Sequence, residues 1–114
     1  MEADTPGTDR HPPREQHLLI EQIKDLIERT GLSQDMWLVF GPETLRIERY
    51  LSGRVIPNYY WTHQIVLHCA GFIPGLYQEE ETDRLDVAAE VARRARVRER
   101  RIARNASPAR RGRG

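Results

Sequence analysis

The side chains best suited to recognising another molecule fall in two places. One is a short polar face within residues 44–54, and the other is an arginine run that starts at residue 93. In the first, Thr44, Leu45, Glu48 and Arg49 are expected on the presented face of one short helix. An arginine there can bond guanine O6 and N7, a glutamate can accept from cytosine N4, and a leucine can touch a thymine methyl. Gln34, Ser52 and Arg54 flank that face and suit phosphate oxygens, which fix register without specifying sequence. The plainer reading is the solvated side of an ordinary small helical bundle. In the second place, residues 93–114 hold ten arginines against Glu99 alone. Arg98, Arg101, Arg104, Arg110 and Arg111 are candidates for phosphate contacts driven by counterion release. Alternatively the run only solubilises the chain, or pairs with the acidic stretch Glu79 to Asp83 of the same or a second chain.

Other chemistry finds no foothold. His63 and His68 lie five residues apart, about 140° around a helix, so they cannot clamp one ion, and His17 and Cys69 add no metal pattern. There is no nucleophile beside a base, no phosphate loop and no placed carboxylate pair. The expectation is therefore a protein that is not an enzyme, with no cofactor and no metal.

Composition narrows the setting. The chain has 114 residues, 39% of them hydrophobic, enough for one small domain with tails. No apolar run approaches the roughly 18 residues of a membrane span, and the polar start lacks the apolar core of a secretory signal. A lone cysteine excludes an internal disulfide and fits a reduced, cytoplasmic location, nucleoid-associated if the protein binds DNA. The net charge of +1 conceals an imbalance, since residues 1–92 sum to −8 and residues 93–114 to +9.

The elements that must position these residues are predicted to be helices. Residues 1–14 read as a disordered arm. A helix over residues 15–29 carries Leu19, Ile23, Leu26 and Ile27 on one stripe and stops at Gly31. Residues 32–57 then read as two short helices about a turn. Ser33 is the expected N-cap of the first, with Leu32 and Trp37 at hydrophobic-staple spacing. Gly41 ends that helix, and Pro42 opens the second at a position where its missing N–H costs nothing. The second helix carries Ile47, Tyr50 and Leu51 inward and ends at Gly53. Asn58 is placed to cap a further helix to Ala70, with Trp61, Ile65, His68 and Phe72 on one stripe and Thr62, Val66 and Cys69 beside it. A long helix follows over about residues 79–105, with Thr82 as the expected N-cap. Its thin apolar line comprises Leu85, Ala88, Ala89, Ala92, Ala95 and Ile102, which needs a partner surface to fold. Residues 106–114 read as a disordered basic tail.

Two helices joined by a glycine turn are a helix-turn-helix unit, whose second helix enters the DNA major groove. In register without a gap, Gln34, Met36, Gly41, Ile47, Gly53 and Pro57 resemble the Cro/CI-type (Xre, lambda-repressor-like) helix-turn-helix domain. The ending Arg49-Tyr50-Leu51-Ser52-Gly53-Arg54 resembles that of many actinobacterial members. The likeness covers about residues 15–71.

The resemblance implies an all-α fold, a four- to five-helix bundle with residues 15–77 as the helix-turn-helix domain and residues 78–105 as a long basic helix. It implies a small sequence-specific regulator that binds double-stranded DNA as a dimer. The chain departs from the family where Trp37 replaces a small residue and Leu38 and Val39 add apolar surface. Those three residues, with Leu45 and Glu48, carry the alternative: a protein-interaction module on a helix-turn-helix that does not read DNA by itself. Their patch would serve a homodimer or another protein.

Overall fold

The computed structural model describes residues 12–32 and 36–105, and all their regular structure is helical. Five helices follow in order: α1 (Arg14–Arg29), α2 (Met36–Phe40), α3 (Thr44–Leu51), α4 (Tyr59–Ala70) and α5 (Gln78–Asn105), with a 3-10 turn at Gly41–Glu43 between α2 and α3. The expected all-α bundle is present. No helix among the described residues is long and apolar enough to cross a membrane.

Helices α1 and α5 form the frame. Leu19, Ile23, Leu26 and Ile27 are all buried, as their stripe predicts, and Ile20 is buried with them. The two helices run antiparallel, because Arg29 at the end of α1 bonds Glu81 near the start of α5 (3.5 Å), and Glu15 at the start of α1 bonds Arg98 (3.2 Å). From α5, Leu85, Ala89, Ala92 and Ala95 enter the core. The three alanines let the helix axes approach closely, and α1 supplies the partner surface that so thin a line requires.

Helices α2, α3 and α4 close the core with Val39, Phe40, Ile47, Tyr50, Ile65, Val66 and Cys69. The buried face of α4 is the one through Thr62, Ile65, Val66 and Cys69. Trp61 and His68 are only half-buried and Phe72 is exposed, so the predicted stripe is displaced by about one residue. The Thr62 hydroxyl explains the shift, for it satisfies itself inside by bonding the Asp86 carboxylate of α5. Asn58 caps α4 as predicted, its side chain accepting from the Trp61 N–H at 2.9 Å.

Two further expectations are corrected. Thr82 lies inside α5 rather than at its N-cap, since the helix already begins at Gln78 with Glu79, Glu80 and Glu81 in its first turn, where acids favour the helix dipole. Ile102 is exposed, four residues beyond the Arg98–Glu15 bond between α5 and α1. Residues 1–11, the expected cap Ser33 and the tail from residue 106 lie outside the described residues.

Candidate nucleic-acid interface

The turn between α2 and α3 follows the local chemistry of its residues. Gly41 adopts φ +56°, a left-handed conformation that costs a side-chain-bearing residue about 1–2 kcal/mol. Pro42 and Glu43 complete the 3-10 turn, so α3 begins at Thr44 and not at the proline. A Schellman motif ends α3. The Arg54 N–H donates to the Arg49 carbonyl (3.1 Å) and the Gly53 N–H to the Tyr50 carbonyl (3.2 Å), with Gly53 at φ +86°. Gln16 of α1, fully buried, donates its Nε2 to the Gly53 carbonyl at 2.9 Å and ties this corner to the frame.

Helix α3 therefore sits with Ile47 and Tyr50 inward and Leu45, Glu48, Arg49 and Ser52 outward, as the sequence suggests. Leu45 is 68% exposed. The Arg49 guanidinium makes no ion pair or hydrogen bond among the described residues, leaving all its donors available. Arg46, between them, is engaged. It lies 4.4 Å from the Trp61 ring centroid and 3.3 Å from the Glu43 carboxylate, and its bonds to the Tyr50 hydroxyl and to Glu43 raise its already high pKa. It fastens α3 to α4.

Thr44 leaves the candidate set. It is buried at 6% exposure, and its hydroxyl donates to the Gly41 carbonyl at 2.7 Å, so it closes the turn and cannot reach a base. Gln34 lies outside the described residues. Ser52 is exposed, although its hydroxyl donates to the Arg49 carbonyl at 3.1 Å, and Arg54 is exposed in the loop after α3.

The apolar trio also divides. Trp37 is 65% and Leu38 61% exposed, whereas Val39 is buried in the core and drops out of the patch. Leu32 packs against the core while Trp37 faces out, so the expected staple between them does not form. A five-residue helix over a shared core can bury only one side, and Val39 with Phe40 supplies it.

The arginines of α5 are split between two faces. Arg93 donates to the Pro57 carbonyl (3.0 Å) and Arg96 to the Arg54 carbonyl (3.4 Å), docking the middle of α5 against the loop that follows α3. Arg100 and Arg104 continue that side at spacings of four, and both are exposed. Arg98 turns the other way, to Glu15, and Arg101 lies near its side of the helix. Of the sequence-predicted phosphate ligands on this helix, helical spacing puts only Arg104 on the side that carries Arg93 and Arg96. Arg100, absent from the sequence-predicted phosphate ligands, shares that side. The signal for that face was the 93, 96, 100, 104 spacing. Arg110 and Arg111 lie outside the described residues.

No group of three or more His, Cys, Asp and Glu side chains among the described residues could hold a metal ion. Cys69 is fully buried, and burial pushes its thiol up to about 12, so it remains protonated and unreactive near neutral pH. Comparison of the chain with protein-family models, curated proteins and solved structures found no match.

Proposed function

We propose that the protein is a small DNA-binding regulator that presents the outer face of α3 to the major groove. Leu45, Glu48 and Arg49 are its base-reading residues, and Arg54, Arg100 and Arg104 contact phosphates. The observation that carries this reading is the docking of α5 on the loop after α3 through Arg93 and Arg96. On this reading the side of α5 that carries Arg93 and Arg96 also carries Arg100 and Arg104 at helical spacing, which supports positioning contacts and base contacts on one duplex.

Exposed Trp37, Leu38 and Leu45 favour a second reading, in which this surface binds a protein partner. Selection from a pool of random duplexes separates the two. The regulator enriches a motif, and Arg49→Ala costs on the order of 1–3 kcal/mol on that motif and relaxes preference at one base position. A pool that stays unenriched with the folded chain overturns the DNA reading and leaves the protein-partner reading.

A further inference from the structure

We infer that the groove between α1 and α5 docks a helix of a partner protein, an amphipathic helix whose basic end lies at the start of α5. The groove measures about 570 Å³, and its floor is apolar, formed by Leu18 of α1 and by Val87, Ala88 and Val91 of α5. Leu18 is 53%, Val87 63% and Val91 45% exposed, so the floor has no cover among the described residues. Glu80, Arg84, Val87 and Val91 recur at intervals of four, three and four, the 3.5-residue repeat of a helix seam. From Glu80 to Val91 the seam runs about 16 Å, or about three helical turns, which is the length of an average helix. Val91 stands about 160° around α5 from Arg93, so the groove faces away from the loop after α3 and the proposal does not rest on DNA binding.

The charges at the rim select the occupant and its direction. Glu80 and Asp83 line one end, and neither makes an ion pair or hydrogen bond among the described residues. The other charges nearby are already matched within the chain: Arg84 with Glu81 (3.4 Å), Arg94 with Glu90 (3.1 Å) and Glu15 with Arg98 (3.2 Å). The unmatched charge is therefore negative and confined to the start of α5. Lysine or arginine in the last turn of an occupant meets those acids and also suits the negative end of its own helix dipole, so the occupant runs antiparallel to α5. Exposed ion pairs add little binding energy, so apolar side chains on the floor supply affinity and the charges select orientation. This chain offers no such segment of its own. Residues 106–114 begin at the far end of α5, about 37 Å from Glu80 along the helix, and nine extended residues span at most about 32 Å. Residues 1–11 carry Glu2, Asp4 and Asp9 against Arg10, the wrong sign for this rim. Helix α5 of a second copy, laid antiparallel with its valines matched, sets Arg84 opposite Arg94.

Titration of the full chain with two labelled helical peptides of about 18 residues is the test. Both carry leucines at i, i+3, i+4 and i+7 spacing; one ends in lysines in its last turn and the other in glutamates. The lysine peptide is expected to bind at micromolar concentration, and the glutamate peptide on the order of tenfold more weakly. Glu80→Lys with Asp83→Lys inverts that preference, and Val87→Glu weakens the lysine peptide on the order of tenfold while far-UV circular dichroism stays helical. Glu80 and Asp83 are exposed, so the charge inversion reports on the groove even if Val87→Glu unfolds the chain. A lysine peptide that does not bind overturns the proposal. So do two peptides that bind equally, a preference that survives the charge inversion, or binding that tolerates Val87→Glu with helicity intact. A dimer of the chain alone that Val87→Glu takes apart in sedimentation also overturns it, since a second copy is then the occupant.

Discussion

Two glycines in this chain have the same backbone excuse and different neighbours. Gly41 and Gly53 both carry positive φ, so alanine at either pays the left-handed penalty. A Cβ on Gly41 would meet open space, whereas one on Gly53 would lie 2.7 Å from the Pro12 side chain and close to Ile20. Gly53→Ala should therefore cost more than Gly41→Ala, by roughly 1–2 kcal/mol in denaturant unfolding, because the clash adds to the φ penalty. Cys69 makes a second residue-scale prediction. Its thiol titrates at about 9 when unfolded and at about 12 when folded, so the folded state favours the protonated form. The stabilisation is complete below pH 9, falls as pH rises between the two values, and is gone above pH 12. Unfolding measured at pH 8 and pH 11 should show wild type losing on the order of 2 kcal/mol more than Cys69→Ala.

At the scale of elements, α3 and α5 divide the work. Among the described residues, helix α3 offers one unpaired guanidinium, Arg49, because Arg46 is spent on Trp61, Glu43 and Tyr50. Burial raises the Tyr50 pKa, and the Arg46 bond opposes that rise. Helix α5 is a two-sided element, with Arg93 and Arg96 bonded to the loop after α3, Arg100 and Arg104 on the same side by helical spacing, and Arg98 turned to Glu15 of α1. If the α3 side meets DNA, Arg100→Ala and Arg104→Ala should each flatten the plot of log affinity against log salt by a slope of about 0.9. Arg84→Ala, at the opposite end of α5, should leave that slope unchanged.

Across the whole molecule, charge is sorted along the long helix. At 1.5 Å per residue, α5 extends for about 42 Å, with Glu79, Glu80 and Glu81 in its first turn and arginines through its second half. The basic residues beyond it, Arg110, Arg111 and Arg113, give a further expectation from sequence. Deleting residues 106–114 should weaken binding to all duplexes alike and lower the salt slope by up to about three, while base preference survives. Titration of the full and truncated chains at two salt concentrations checks this. Equal slopes with negligible affinities would remove the tail from the nucleic-acid reading.

Much of this architecture follows from residue type and interval alone. The stripe of α1, the turn at Gly41, the end of α3 at Gly53 and the Asn58 cap are local matters, decided within a few residues by backbone freedom, periodicity and a nearby hydrogen bond. The outward placement of Leu45, Glu48 and Arg49 followed for the same reason. Partners distant in the chain decided the rest. Thr62 turned inward because Asp86 of another helix awaited its hydroxyl, and Val39 was buried while Trp37 and Leu38 were not because the core lay on only one side of α2. Arg96 and Arg98 part by helix geometry, but packing alone set the Arg54 carbonyl against one and Glu15 against the other. Helical periodicity assigns residues to faces, but only packing decides which face meets core, loop or solvent.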